Sequence, residues 1–339
     1  MADVRRISDV IAIWDLHWEY IALKWNLEYA WLAKETNWHL QWTGWNKRIV
    51  FQWDILSDRW TDGLKIIKEI YQLRQQAQSQ WWDINIIVGN HDDFMISYLT
   101  WRNWIHEDWI NISIGDWAWW INNWQWRWIL ELARDFYTWK PPRLKNGLYD
   151  FKKILKNGHE NILNNMRESP EWRIILEEIC NMKPVLQIDD VLYCHTNPTQ
   201  GMLQYLTNWN IQDNINMLNQ KYQWYLRKVL LWEWWQTIST REFNEISDLF
   251  LNTDNRDIWW IEKYVDQLRN SWINMISHWH SGGGWKWNWQ YVYDNNQTDI
   301  NWLKIVDADF SYWKRGREWW THSISTVQQD WWNIITWDN

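Results

Sequence analysis

Tryptophan stands where a folding chain needs glycine, and this governs how the rest of the sequence is read. The chain has 41 Trp and only 11 Gly in 339 residues, whereas glycine alone is about 7% of an average protein. Trp flanks the polar blocks Trp14-Asp15-Leu16-His17-Trp18 and Trp53-Asp54-Ile55-Leu56-Ser57-Asp58-Arg59-Trp60, and it separates His278 from His280. Glycine serves where φ is positive or where backbone must approach a ligand closely. An indole beside each of these Asp and His residues would fill that space. Doubled residues such as Trp81-Trp82, Trp119-Trp120 and Trp331-Trp332 would also leave large exposed apolar patches. Codon reassignment is the hypothesis that accounts for the pattern. UGA is read as glycine in some bacterial lineages and as tryptophan under other codes. Only UGA glycines are then rewritten, so Gly44, Gly63, Gly89 and Gly282-Gly283-Gly284 survive. Counting every Trp as Gly would give about twice the usual share, which leaves room for a few genuine Trp. UGG codons at positions 14, 53, 60 and 279 would end the hypothesis.

Charge and cysteine usage bound the class of protein. With 34 basic and 42 acidic residues the formal net charge is −8, which weighs against sequence-independent nucleic-acid binding. Cys180 and Cys194 are the only cysteines and make no spaced framework, which points to a reducing compartment. Residues 1–20 lack the basic start, apolar run and cleavage site of a signal peptide. No run of ~18 apolar residues appears. The expectation is a cytoplasmic α/β protein without membrane association, its oligomeric state left open.

Hydrophobic patterning predicts strands at Val10 to Ile13, Arg48 to Gln52 and Asp83 to Val88. Helices are predicted over residues 19–34 and 62–79, the second carrying Leu64, Ile67, Ile70 and Leu73 near helical spacing. Strands alternating with helices imply a mostly parallel sheet. Residues 101–126 read as an irregular loop, and 127–180 and 202–270 as largely helical. Val185 to Thr196 reads as a hairpin turning at Asp189-Asp190. Further strands are predicted at Ile273 to Ile276, Tyr291 to Tyr293 and Leu303 to Val306.

Polar residues collect where these strands end, the place where open α/β sheets hold ligands. Asp15 and His17 are two apart and face one side of an extended segment. Asp54 has two carboxylate oxygens, enough to bridge two cations. Arg59 offers a planar fork of donors matched to phosphate. Asn90 supplies a neutral oxygen, followed by His91. His195, His278 and His280 follow later strands. Taken singly, each has a bland alternative: Asp58–Arg59 as a surface pair, His195 as a structural histidine, His278 and His280 as a loop pair. Together they suit Mn, Fe or Zn rather than a thiolate site. Two such ions about 3.5–4 Å apart can clamp the attacking and leaving oxygens of a displacement at phosphorus.

With Trp read as Gly, these blocks become GDLHG, GDILSDRG, GNHD and HGH. In this order they resemble the signature blocks of calcineurin-like metallophosphoesterases, nearest the bacterial phosphoprotein-phosphatase-like branch. The resemblance spans Asp15 to His280 and leaves the long helical stretches unmatched. It implies a single domain over 1–339 with the family's four-layer α/β/β/α sandwich, and helical insertions at about 127–180 and 202–270 over the metal face. It implies one metal held by Asp15, His17, Asp54 and His280, and a second by Asp54, Asn90, His195 and His278. His91 matches the histidine that assists the leaving oxygen, Asp58 the acid that orients it, and Arg59 a phosphate-binding arginine. The implied activity is hydrolysis of a phosphomonoester by a metal-bridging hydroxide, in the manner of a phosphoprotein serine/threonine phosphatase, on a phosphoprotein or a small phosphoester. Bis(nucleosyl)-tetraphosphates or phosphodiesters are alternative substrates, and an inactive binding module is the non-enzymatic alternative. The chain departs from that branch in three places. Three residues rather than two separate Asp54 from Asp58, Asp92 replaces a glutamate, and Ser277 stands where glycine often precedes the His-x-His pair.

Overall fold

The computed structural model describes residues 10–14, 20–44, 47–52, 55–56, 62–100, 162–196, 198–232, 245–246, 261–278, 297–307, 323–330 and 333–338. The first half alternates strand and helix: β1 (Val10–Trp14), α1 (Tyr20–Tyr29), the hairpin β2 (Ala33–Thr36) and β3 (His39–Trp42), β4 (Arg48–Gln52), α2 (Gly63–Ser79), β5 (Ile84–Ile87) and α3 (Asn90–Leu99). Helical residues 162–168 and α4 (Pro170–Ile179) lead to β6 (Val185–Ile188) and β7 (Val191–Cys194). Next come α5 (Gln200–Thr207), α6 (Ile211–Arg227) with a π-helical turn Lys228–Trp232, a 3-10 turn Ile261–Tyr264, and α7 (Val265–Asn270). The last described strands are β8 (Met275–His278), β9 (Gln297–Ile300), β10 (Leu303–Asp307), β11 (Ser323–Asp330) and β12 (Asn333–Asp338).

Ten of the described strands form two five-stranded mixed sheets, and β2 and β3 pair separately with each other. One has the order β12-β11-β1-β4-β5, with β1, β4 and β5 mutually parallel. The other has the order β6-β7-β8-β10-β9, with β7, β8 and β10 parallel. The period-two alternation of strand side chains divides β1, β4, β5, β6, β7 and β8 between two buried layers. Val10, Ala12, Val50 and Ile87 of the first sheet share one apolar cluster with Ile188, Val191, Tyr193 and Met275 of the second. The opposite sides, including Ile11, Ile13, Phe51, Ile86, Leu192 and Ile276, join the larger cluster that contains the helices. Residues of both sheets thus share one apolar layer, and their alternate positions pack in the cluster that holds the helices. Each fully buried Val, Leu or Ile contributes roughly 1.5–3 kcal/mol to holding these layers.

Helix α2 shows why this packing follows from sequence. Ile66, Ile67, Ile70, Leu73 and Ala77 recur at helical spacing and are all buried. Its Arg74 reaches the backbone carbonyl of Ile84 at 2.8 Å and pairs with Glu178 of α4 at 2.6 Å. Burial drives the Glu178 carboxyl above its ordinary range, against the pull of Arg74. Among the described residues no helix is long and apolar enough to cross a membrane.

The left-handed residues test the glycine hypothesis directly. Among the described residues, positive φ at a non-glycine occurs at Trp31, Trp38, Trp81, Trp272 and Trp302, and at Asn37, Asp189 and Asn301. Asn and Asp tolerate this conformation, whereas a bulky side chain there is an outlier. Three of the Trp close helices. After α1, Trp31 N–H donates to Glu28 and Leu32 N–H to Leu27. After α2, Trp81 N–H donates to Gln78 and Trp82 N–H to Ala77; after α7, Trp272 N–H donates to Arg269 and Ile273 N–H to Leu268. Each is a Schellman motif whose left-handed residue is usually Gly. The other two end hairpin turns: Asn37-Trp38 joins the pair Thr36–His39, and Asn301-Trp302 joins Ile300–Leu303. Two left-handed residues in a two-residue hairpin form a type I′ turn, for which Asn-Gly is the favoured sequence. The fold thus asks for glycine at all five. Trp31, Trp38, Trp81 and Trp272 are also at least 80% exposed.

Several sequence expectations need correction. The helix predicted over 19–34 ends at Tyr29, because Trp31 acts as its left-handed stop and the chain then enters β2. Asn90-His91-Asp92 opens α3 rather than ending a strand. The strand before His278 is Met275–His278 instead of starting at Ile273, so His278 belongs to it. The predicted strand at 291–293, the loop at 101–126 and much of the predicted helical stretches lie outside the described residues, while β9, β11 and β12 were not anticipated. The hairpin turning at Asp189-Asp190 is present, with Ile188 paired to Val191.

Candidate functional site

The parallel strands end in two aligned rows. In the first sheet Trp14 pairs with Gln52, and Gln52 with Ile87. Asp15, Asp54 and Asn90 come one, two and three residues beyond that row in sequence. In the second sheet Tyr193 pairs with Ser277, and His278 with Asp307. His278 ends β8, and His195 is the first residue after β7. The two rows meet. Gln52 Nε2 donates to the Ser277 carbonyl at 3.0 Å, and Ser277 Oγ donates to Gln52 Oε1 at 2.9 Å. Carboxyl ends of parallel strands from both sheets thus open at one place, with His195 and His278 both fully buried there.

A second tie fixes the adjoining loops. The Asp92 carboxylate, 0% exposed, accepts from Leu56 N–H at 2.7 Å and from Gly89 N–H at 2.9 Å. Gly89 precedes α3 and its carbonyl accepts from Asp93 N–H. Asp92 at the third helical position therefore reaches back to the cap residue, one half of a capping box. Its other oxygen holds the loop after β4 against the loop after β5. Sequence reasoning treated Asp92 only as a departure from a family pattern. The signal was present in an acid three residues after a helix-starting glycine.

Of the seven predicted metal ligands, only His195 and His278 have described side chains. Asn90 and His91 are placed by backbone as the first two residues of α3. Asp15, His17, Asp54, Asp58, Arg59 and His280 lie outside the described residues. Among the described residues no group of three His, Cys, Asp or Glu is arranged to hold a metal.

Cys194 neighbours His195 and is buried, its thiol 3.9 Å from the Ser277 carbonyl. Burial pushes the thiols of both Cys194 and Cys180 well above their ordinary range.

No family model matches this chain, and no curated protein matches it. Similar solved structures are of cold-active protein tyrosine phosphatase. A point mutant of that enzyme superposes with a TM-score of 0.50 at 15% identity, over 95% of this chain and 76% of the other. A further structure of a cold-active protein tyrosine phosphatase gives 0.49 at 15% identity over 95% and 74%. The enzyme of a psychrophilic Shewanella species gives 0.45 at 14% identity over 95% and 76%. At this identity the first likeness concerns the fold alone: a mixed α/β architecture shared with that phosphatase.

Proposed function

We propose that the chain is a di-metal phosphoester hydrolase, built as a four-layer α/β/β/α sandwich with helical insertions. One observation supports this: carboxyl ends of parallel strands from the two sheets are joined by Gln52 and Ser277, and in sequence every predicted ligand block lies at or within a few residues of such an end. The donor chemistry fits borderline metal ions, since the candidate ligands are imidazole, carboxylate and amide groups and both cysteines are buried. Asp15, His17, Asp54 and His280 would hold one ion, and Asp54, Asn90, His195 and His278 the other. When bound, such a pair supplies a water-derived nucleophile near neutral pH and neutralises charge on the phosphoryl oxygens.

The chain's own residues do the rest. Arg59 orients the phosphoryl group through paired donors. His91 gives a proton to the departing oxygen, and Asp58 holds the imidazole ring for that transfer. Burial of His195 and His278 excludes water from two of the ligands. A cysteine nucleophile, the alternative for a phosphatase, is disfavoured by the raised thiol pKa values. The phosphatases of similar fold favour a phosphomonoester substrate. The test is a panel of phosphoserine, phosphothreonine and phosphotyrosine peptides, an aryl phosphate, bis(nucleosyl) tetraphosphates and phosphodiesters, each with and without chelator. Chelator-sensitive release of phosphate from monoesters is expected. Hydrolysis that survives chelation would refute the metal-dependent reaction, and no hydrolysis of any substrate would favour a binding module.

A further inference from the structure

The Gln52–Ser277 pair is a reciprocal polar exchange between strands of the two sheets, and it sits at the functional end of the interface. Gln52 shares its side of β4 with Val50, and Ser277 shares its side of β8 with Met275; both neighbours belong to the apolar layer between the sheets. Gln52 is 0% and Ser277 2% exposed. The exchange is reciprocal, with side chain to carbonyl at 3.0 Å and hydroxyl to side chain at 2.9 Å. The Cys194 thiol approaches the same carbonyl from β7. Apolar contacts in this layer tolerate sliding, because dispersion has little direction. Two hydrogen bonds of fixed geometry do not.

We propose that Gln52 and Ser277 are positioning residues, which set the separation and register of β4 against β8 and so the span between the ligands that follow. His278 is bonded directly to Ser277, and Asp54 is two residues after Gln52. This inference rests on the di-metal proposal above. A site that holds two ions must keep ligands from both sheets within a few tenths of an ångström, and an apolar layer alone does not impose that tolerance. The pair is costly to half-remove, because each partner left behind is a buried, unsatisfied polar group.

The test uses four full-length variants: Ser277→Ala, Ser277→Thr, Gln52→Met and the double change Gln52→Met with Ser277→Ala. Metal affinity is read by chelator competition, alongside the melting temperature of the metal-free protein and the kcat and KM for an aryl phosphate. Ser277→Ala and Gln52→Met should each weaken metal retention about tenfold or more and lower kcat with KM little changed. Ser277→Thr keeps the hydroxyl and should retain both properties. The double variant removes both side-chain partners and leaves only the main-chain carbonyl of residue 277 without its Gln52 donor, so the melting temperature should recover in part while metal affinity stays low. Recovery of metal affinity in the double variant would make the pair merely structural and overturn the proposal. Unchanged affinity in both single variants would do the same. If the unaltered chain binds no metal, the di-metal proposal itself falls, an outcome read from the unaltered protein alone.

Discussion

Replacing Trp31, Trp38, Trp81, Trp272 and Trp302 together by glycine should stabilise the chain. Each residue sits at φ between 59° and 72°, a conformation costing a non-glycine residue about 1–2 kcal/mol. Glycine returns part of this through the larger entropy of the unfolded chain, about 0.4–1 kcal/mol per site. The net gain is about 0.5–1.5 kcal/mol per site, or about 3–7 kcal/mol for five. Little packing is lost at Trp31, Trp38, Trp81 and Trp272, which are 84%, 85%, 94% and 80% exposed. Trp302 gains least, because the Arg269 guanidinium lies 4.8 Å from its ring centroid and such a contact contributes about 0.5–1 kcal/mol. Unfolding entropy near 2.1 cal/mol/K per residue turns the sum into a rise of roughly 4–10 °C in melting temperature. The assay compares two full-length chains that differ only at these positions, by thermal and denaturant melts followed with far-UV circular dichroism. Equal or lower stability of the glycine chain would refute the assignment of these turns to glycine. Domains are stable by only about 5–15 kcal/mol, so the tryptophan chain is expected to lie near its folding limit.

Other perturbations separate the ties from the chemistry. Asp92→Ala strands two buried N–H groups, those of Leu56 and Gly89, and should cost about 2–6 kcal/mol in denaturant melts; a loss below the error of the melts would contradict its role. Arg74→Leu leaves Glu178 buried without its cation and should cost about 3–5 kcal/mol at pH 8. Burial raises the folded-state pKa of Glu178, so the folded chain holds that proton more tightly than the unfolded one. Stability from this group is therefore greatest below the unfolded carboxyl value and falls as pH rises through the folded value. The variant should lose less at pH 5 than at pH 8, and a pH-independent loss would count against a charged Glu178 as the cause. His91→Ala should depress turnover by roughly 10²–10⁴ while metals stay bound, whereas Asp54→Ala should lose metal as well; full activity in Asp54→Ala would remove it as the bridging ligand.

Much of the core architecture was legible because its signals are local. Arg48 to Gln52 matches β4 residue for residue, and α2 lies within one residue of its predicted start. Asp189-Asp190 marks its hairpin through turn chemistry. What was missed has a common cause. The hairpin β2–β3 is announced by Asn37 followed by glycine, and that signal vanishes when tryptophan occupies the second position. The same masking hid Asn301-Trp302 and with it β9. Strand β11 joins the first sheet by pairing with β1 across most of the chain, and β12 follows by pairing with β11; nothing local in residues 323–338 specifies the distant partner β1. At the candidate site, the sequence supplies the types and order of the proposed ligands. It is silent on Gln52, whose role exists only because Ser277 lies opposite it from 225 positions away.

Metal stoichiometry of the purified full-length chain tests the central claim most directly. Elemental analysis after removal of loosely bound ions should find two Mn, Fe or Zn ions per chain in the unaltered protein, and fewer after His195→Ala or His278→Ala. Protein that is folded, carries no metal and takes up none on titration would contradict it.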